Sequence, residues 1–153
     1  MDEADRIRSP LILPPALARE MIGHARAGAP NEVCGVLAGG GGAVAAVYPV
    51  PNLDPDPRRY LMDPKGLLHA MLTIEHSAGE LLGFYHSHPM SPPFPSETDR
   101  ALAFYPEHCY AIVSLMDAAA PEIRFFLFRD GRFDELAVVG SAPEAARLPL
   151  VDR

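Results

Sequence analysis

The chain has 153 residues, 48% of them apolar, and a formal net charge of −7 at pH 7. That length suits one domain with a real core and is short for two. The acidic balance argues against a nucleic-acid backbone or an anionic membrane as main partner, and no apolar run approaches a membrane span.

The opening Met1-Asp2-Glu3-Ala4-Asp5-Arg6 is charged and lacks the apolar centre of a signal peptide, so a cytoplasmic protein is expected. Residues 1–9 read as a flexible polar tail. Leu11-Ile12-Leu13 fits a short strand before Pro14-Pro15. From Ala16 to Ala27, Leu17, Met21, Ile22 and Ala25 share one helical face, with Pro15 suited to the first turn and Gly28 to the end. His24 on this helix reads as a solvated or capping side chain. Val33–Ala38 and Ala43–Val50 read as strands joined by a turn at Gly39–Gly42. This glycine run lacks the Lys-Ser/Thr of a phosphate loop.

Residues 51–59 read as a loop. Its Arg58 and Arg59 are candidate contacts for a substrate's backbone or acidic surface, weighed against a plain solvated charge pair. Tyr60-Leu61-Met62 fits a short strand. Asp63 is a candidate N-cap with Pro64 at the first helical position. Leu67, Leu68, Met71, Leu72 and Glu75 then follow helical spacing, and Gly79 suits the helix end. His69 and His76 on that helix belong to no ligand pattern and read as surface residues.

The next stretch organises the chain. Leu81-Leu82-Gly83-Phe84-Tyr85 is a short apolar run that reads as a buried strand, and it leads into His86-Ser87-His88-Pro89. Residues i and i+2 of a strand share a face, so His86 and His88 project side by side. Pro89 stops the ladder, and Pro92, Pro93 and Pro95 stiffen the loop that follows. Ser96 is a good N-cap, which puts Asp99 in the first turn of a helix expected to run to about Tyr105. A carboxylate returned by a stiff loop toward two imidazoles describes a three-ligand metal site. Two nitrogens and one oxygen suit zinc and leave the fourth position for a water of pKa about 7. Such a site needs a proton acceptor that is not a ligand. Glu97 would point away if Ser96 caps the helix; Glu32, far upstream, is a better candidate, and its role is what the family resemblance below implies.

Past that helix, Cys109–Met116 reads as a central strand. Glu122–Phe128 and Arg132–Val139 read as a hairpin about Asp130-Gly131. Residues 141–153 read as a C-terminal tail, with weak helical character at Pro143–Arg147 that would order part of it. Cys34 and Cys109 lie in strand-like apolar runs and are expected as buried small hydrophobes. A place for Cys34 in the pocket wall and a disulfide between the two stand as alternatives, the second disfavoured in a reducing compartment.

These residues together resemble the JAMM metalloproteases, the catalytically competent branch of the MPN domains, in their bacterial single-domain form. The pattern is an upstream Glu, then His-x-His-Pro, six residues, Ser, two residues and Asp. Here it reads Glu32, His86-Ser87-His88-Pro89, Ser96 and Asp99, with no departure in spacing. Glu32–Gly39, Asp63-Pro64 and Gly83-Phe84-Tyr85 fit the family as well, so the likeness covers residues 10–140. It implies an α/β MPN fold, a mixed, largely antiparallel sheet flanked by helices and related to that of cytidine deaminases. It also implies that His86, His88 and Asp99 hold one zinc with a bound water, that Glu32 is the general base, and that Ser96 helps hold the oxyanion. The expected reaction is hydrolysis after the Gly-Gly tail of a ubiquitin-like protein, favouring release of cysteine from a sulfur carrier. Isopeptidase action on lysine conjugates and a non-catalytic MPN interaction module are the alternatives. Nucleic acid and membrane are not expected as partners, and a homodimer is left open. A non-haem iron triad of two His and one carboxylate would leave Glu32 and Ser96 without a role.

Overall fold

The structure is a computed structural model that describes residues 7, 9–40 and 42–140. In chain order the elements are β1 (Leu11–Ile12), α1 (Pro15–Gly28), β2 (Cys34–Gly40), β3 (Ala43–Val50), α2 (Pro64–Glu75) and β4 (Glu80–His88). They continue with α3 (Glu97–Ala101), β5 (Cys109–Ser114), β6 (Glu122–Arg129), β7 (Arg132–Leu136) and β8 (Val138–Val139). One sheet runs in the order β7-β6-β5-β4-β2-β3-β1-β8. The β4–β5, β1–β3 and β1–β8 pairs are parallel and the other pairs antiparallel. The fold is therefore the mixed, largely antiparallel α/β architecture expected. Among the described residues no helix is long and apolar enough to cross a membrane.

Strand alternation sorts the core into two layers. Leu37, Leu82, Tyr85, Val113 and Phe125 face one side of the sheet, where α1 adds Met21 and Ala25. Val36, Ala38, Phe84 and Tyr110 face the other, where α2 adds Ala70 and Ile74. His86 follows Phe84 by two residues, so the alternation delivers it to the α2 side. Gly83 lets β4 and β5 approach, because a Cβ there would run into the backbone of Cys109.

Local chemistry accounts for the element ends. The Asp63 carboxylate accepts from Lys65 N at 3.1 Å, with Pro64 opening α2. Asp130 and Gly131 take φ of 53° and 75°, the left-handed pair that a tight hairpin needs. Four expectations are corrected. Tyr60-Leu61-Met62 forms no strand; only Met62 bridges Asn52. α2 ends at Glu75, short of Gly79, because the Ser77 hydroxyl closes on Ile74 O at 2.6 Å. α3 ends at Ala101 because the Tyr105 N–H is taken by the Tyr110 hydroxyl at 3.1 Å and the Tyr105 ring packs on Phe84. The last strand divides at Ala137, so that β7 pairs with β6 and β8 with β1. One stretch of chain thus supplies the strands at both ends of the sheet order.

Of the segment expected as a tail, Ile7 is buried and Ser9 Oγ accepts from Ala137 N at 3.1 Å. Residues 1–6 and 8 of that segment, and residues 141–153, lie outside the described residues.

Candidate metal centre

His86 and His88 close β4 and are 2% and 4% exposed. The strand runs through both, opposite Ile112 and Ser114 of β5, so their backbones are fixed by the sheet. Beyond His88 the loop is tied back twice. Ser114 Oγ donates to Ser91 O at 2.6 Å, and Leu115 N donates to His88 O at 3.1 Å. The loop then delivers Ser96 as N-cap of α3, as expected. Asp99 N donates to Ser96 Oγ at 3.0 Å, and Ser96 N donates to Asp99 Oδ2 at 2.9 Å, a reciprocal capping box.

That box aims the Asp99 carboxylate at the imidazoles. Asp99 Oδ2 lies 3.2 Å from His86 Nε2 and 3.1 Å from His88 Nε2, and the two Nε2 atoms are 3.2 Å apart. A tetrahedral ion with bonds of about 2.0–2.1 Å needs donors about 3.3 Å apart, so this triangle fits zinc. The chemistry of the donors agrees. His88 Nδ1 donates to the Pro92 carbonyl at 2.8 Å, which leaves the Nε2 lone pair of the neutral ring facing the carboxylate. Lone pair against carboxylate calls for a cation between them. Among the described residues, these three form the group whose donor atoms converge. Burial alone would raise the Asp99 pKa, but with the imidazoles protonated their Nε2–H groups, standing where a cation would, donate to the carboxylate and hold it far below the carboxylate range. Burial works against charge on His88 too, yet Asp99 and the Pro92 carbonyl hold its pKa above the usual value.

Glu32 stands two residues before β2 and is 6% exposed. Its Oε1 is buried without a hydrogen-bond partner. Burial, against the attraction of His88 and with the repulsion of Asp99, Asp56 and Asp54, pushes its pKa up from 4.5 to about 7. A group poised there can take and return a proton near neutrality. Glu32, His88, Ser96 and Thr98 line one cleft of about 760 Å³. Arg58 and Arg59 line it as well, each already in an ion pair: Arg58 with Asp56 at 3.3 Å, Arg59 with Asp54 at 3.2 Å. The Ser96 oxygen accepts the Asp99 N–H, so its own proton remains to be donated.

Several neighbours were not singled out from the sequence. Ser87, between the two histidines, faces the other way. Its hydroxyl accepts from Val33 N at 2.8 Å and its N–H donates to Val33 O at 3.0 Å, which fixes the chain beside Glu32 to the histidine strand. The Tyr60 ring stacks on His86 with centroids 4.7 Å apart. Asn52 Nδ2 donates to Glu32 O at 2.9 Å. Strand alternation was the available signal for Ser87; nothing local pointed to the other two.

His24 corrects its expectation. It is neither solvated nor a cap, because its Nδ1 meets the Tyr85 hydroxyl at 2.8 Å on the α1 side of the sheet. A Cβ at Gly35 would strike that Tyr85 ring, which explains the glycine. His69 and His76 are exposed, as expected. Cys34 and Cys109 are buried free thiols, and burial pushes both up to about 12, so both stay protonated. Cys34 pairs with His86 across the sheet but is not among the residues lining the cleft.

Comparison with known proteins gives the family. The family model described as prokaryotic homologs of the JAB domain matches residues 14–129. A desampylase from Haloferax volcanii is 46% identical over 101 residues, spanning 61% of this chain and 73% of the relative. A CysO-cysteine peptidase from Mycobacterium tuberculosis is 33% identical over 127 residues, 82% of this chain and 87% of the relative. The solution structure of a protein from Desulfitobacterium hafniense superposes with a TM-score of 0.77 at 38% identity, covering 84% of this chain and 91% of that one. With a family model spanning most of the described residues and a relative 33% identical over most of both chains, the chain belongs to the prokaryotic JAB family.

Proposed function

We propose that the protein is a zinc peptidase that hydrolyses the bond after the C-terminal Gly-Gly of a ubiquitin-like sulfur carrier and releases an amino acid such as cysteine. The observation that carries this reading is Glu32: a buried carboxylate with a free oxygen, in one cleft with His88 and Ser96, beside the donor triangle of His86, His88 and Asp99. A binding module has no use for such a carboxylate, whose burial disfavours its charge. Zinc held by His86, His88 and Asp99 would supply a Lewis acid and a water acidic enough to react at neutral pH. Glu32 takes the proton of the attacking water and hands it to the leaving nitrogen. The Ser96 hydroxyl donates to the oxygen of the carbonyl under attack. Arg58 and Arg59 form the wall past which the substrate tail lies. A diglycine tail suits a cleft whose catalytic groups are this deep, because small residues let the backbone approach them closely.

The carrier assignment draws on the likeness to the CysO-cysteine peptidase and the desampylase. A cleft of about 760 Å³ also has volume for a bulkier leaving group, so isopeptidase action on lysine conjugates is the second reading. A cytoplasmic setting accords with two free buried thiols. The test is mass spectrometry of a Gly-Gly-Cys-tailed sulfur carrier and a lysine-linked diubiquitin, each incubated with wild type and Glu32→Gln. Loss of cysteine that depends on Glu32 is expected. Cleavage of diubiquitin alone would move the assignment to the second reading, and inertness toward both would overturn the two together.

A further inference from the structure

Asn52 makes four hydrogen bonds through one side-chain amide. Its Oδ1 accepts from the backbone N–H groups of Asp54 at 2.9 Å and Leu61 at 2.8 Å. Its Nδ2 donates to the carbonyls of Glu32 at 2.9 Å and Arg59 at 3.3 Å. Two donors facing the oxygen and two acceptors facing the nitrogen admit a single orientation of the amide. Three partners belong to the 53–61 segment, which carries Asp56, Arg58 and Arg59 along the cleft. That segment is a narrow hairpin, closed by Leu53 N to Leu61 O at 2.8 Å and Asp63 N to Pro51 O at 2.9 Å. The fourth partner is the backbone of Glu32.

Glu32 is thus anchored on both sides. The reciprocal bonds of Ser87 and Val33 tie the following residue to the histidine strand. Asn52 ties Glu32 itself to the hairpin. Because Glu32 Oε1 has no partner of its own, the carboxylate is placed by this backbone anchorage. A base must lie within hydrogen-bond reach of the proton it takes, and a misplacement of about 1 Å can cost on the order of 10²-fold in rate. We infer that Asn52 is a positioning residue, which locks the Glu32 backbone to the substrate-facing hairpin so that the base and the cleft wall are held in one register. This rests on the reading of Glu32 as the base.

Two variants separate alignment of the base from upkeep of the hairpin. Asn52→Asp keeps an acceptor for Asp54 N and Leu61 N but loses both donations and faces the Glu32 carbonyl with a like partial charge. Asn52→Ser removes all four bonds and adds no charge. Both should keep zinc at one per chain. In Asn52→Asp, kcat should fall by about tenfold to a hundredfold while KM for the carrier substrate stays within about threefold. In Asn52→Ser both constants should worsen, since the hairpin loosens too. Added to Glu32→Gln, either substitution should leave the residual kcat unchanged, because Asn52 acts through Glu32. Wild-type kcat in Asn52→Asp, a loss confined to KM, or losses that multiply with Glu32→Gln would each overturn the inference. Unfolding of both variants would assign Asn52 to the fold alone and overturn it as well. Normal turnover by Glu32→Gln is a different result, since it removes the base reading itself whatever Asn52 does.

Discussion

Glu32 occupies a position that works against folding once it ionises. Its pKa is raised from 4.5 to about 7, chiefly by burial, so between those values the folded chain holds a proton that the unfolded chain releases. Its contribution to stability is therefore complete below about pH 4.5 and lost as pH rises through about 7. Glutamine has the same shape and no charge to desolvate. In zinc-free protein, Glu32→Gln should melt close to wild type at pH 5 and clearly above it at pH 8. Asp99, with its depressed pKa, stays ionised across that window. His88, whose raised pKa is owed in part to Glu32, loses its contribution over the same window, so the difference between the two proteins reads the Glu32 carboxylate together with its pairing to His88. Thermal melts in chelator at the two pH values check this, and equal gaps at both would show that the carboxylate is not desolvated as placed. The same substitution should leave zinc binding intact, because Glu32 is outside the donor triangle.

At the scale of elements, α3 shows how a short local signal can place one of the three converging donors. Five residues are too few for a helix to be stable by propagation, so α3 depends on its cap and on what Asp99 touches. Ser96→Ala removes the hydroxyl's half of the box, worth about 1 kcal/mol as a cap, and with it the oxyanion donor that the proposed function calls for. It should keep zinc and lose on the order of 10²–10³ in kcat. Asp99→Ala should lose zinc affinity as well as rate; titration with a zinc indicator alongside kinetics separates the two, and equal zinc affinity in all three proteins would remove Asp99 from the donor set. Both residues could be read in the sequence because the signals are local: strand alternation pairs His86 with His88, and a Ser cap fixes where a carboxylate three residues on must point. Glu32 lies 54 residues before His86, and only the family resemblance joined them. The stacking of Tyr60 on His86 and the grip of Asn52 on Glu32 are side-chain contacts across the fold with no periodic trace. α3 was expected too long for the converse reason. Leu102 and Ala103 carry helix-compatible spacing, but the Tyr110 hydroxyl outcompetes the helix for the Tyr105 N–H.

For the whole molecule, the donor triangle joins parts that the core does not. His86 and His88 belong to the sheet, while Asp99 comes from a short helix reached through a proline-rich loop. The two apolar layers lie along the sheet and are complete without an ion, unlike a small domain whose metal stands in for a core. Zinc-free protein should therefore stay folded and melt cooperatively, at a lower temperature. Binding to the folded state alone stabilises by about 4.1 kcal/mol when free zinc is a thousandfold above Kd. At roughly 2–4 °C per kcal/mol for a domain of this size, the midpoint should rise by about 10 °C. Glu32→Gln should show the same rise and Asp99→Ala little of it. Calorimetry with chelator and with buffered zinc makes the measurement. An unfolded zinc-free chain would mean that the ion organises the fold as well as the site. A midpoint indifferent to zinc, in a protein that still releases its product, would mean that the folded chain does not take up zinc, that the reaction runs without it, and that His86, His88 and Asp99 converge for a different reason.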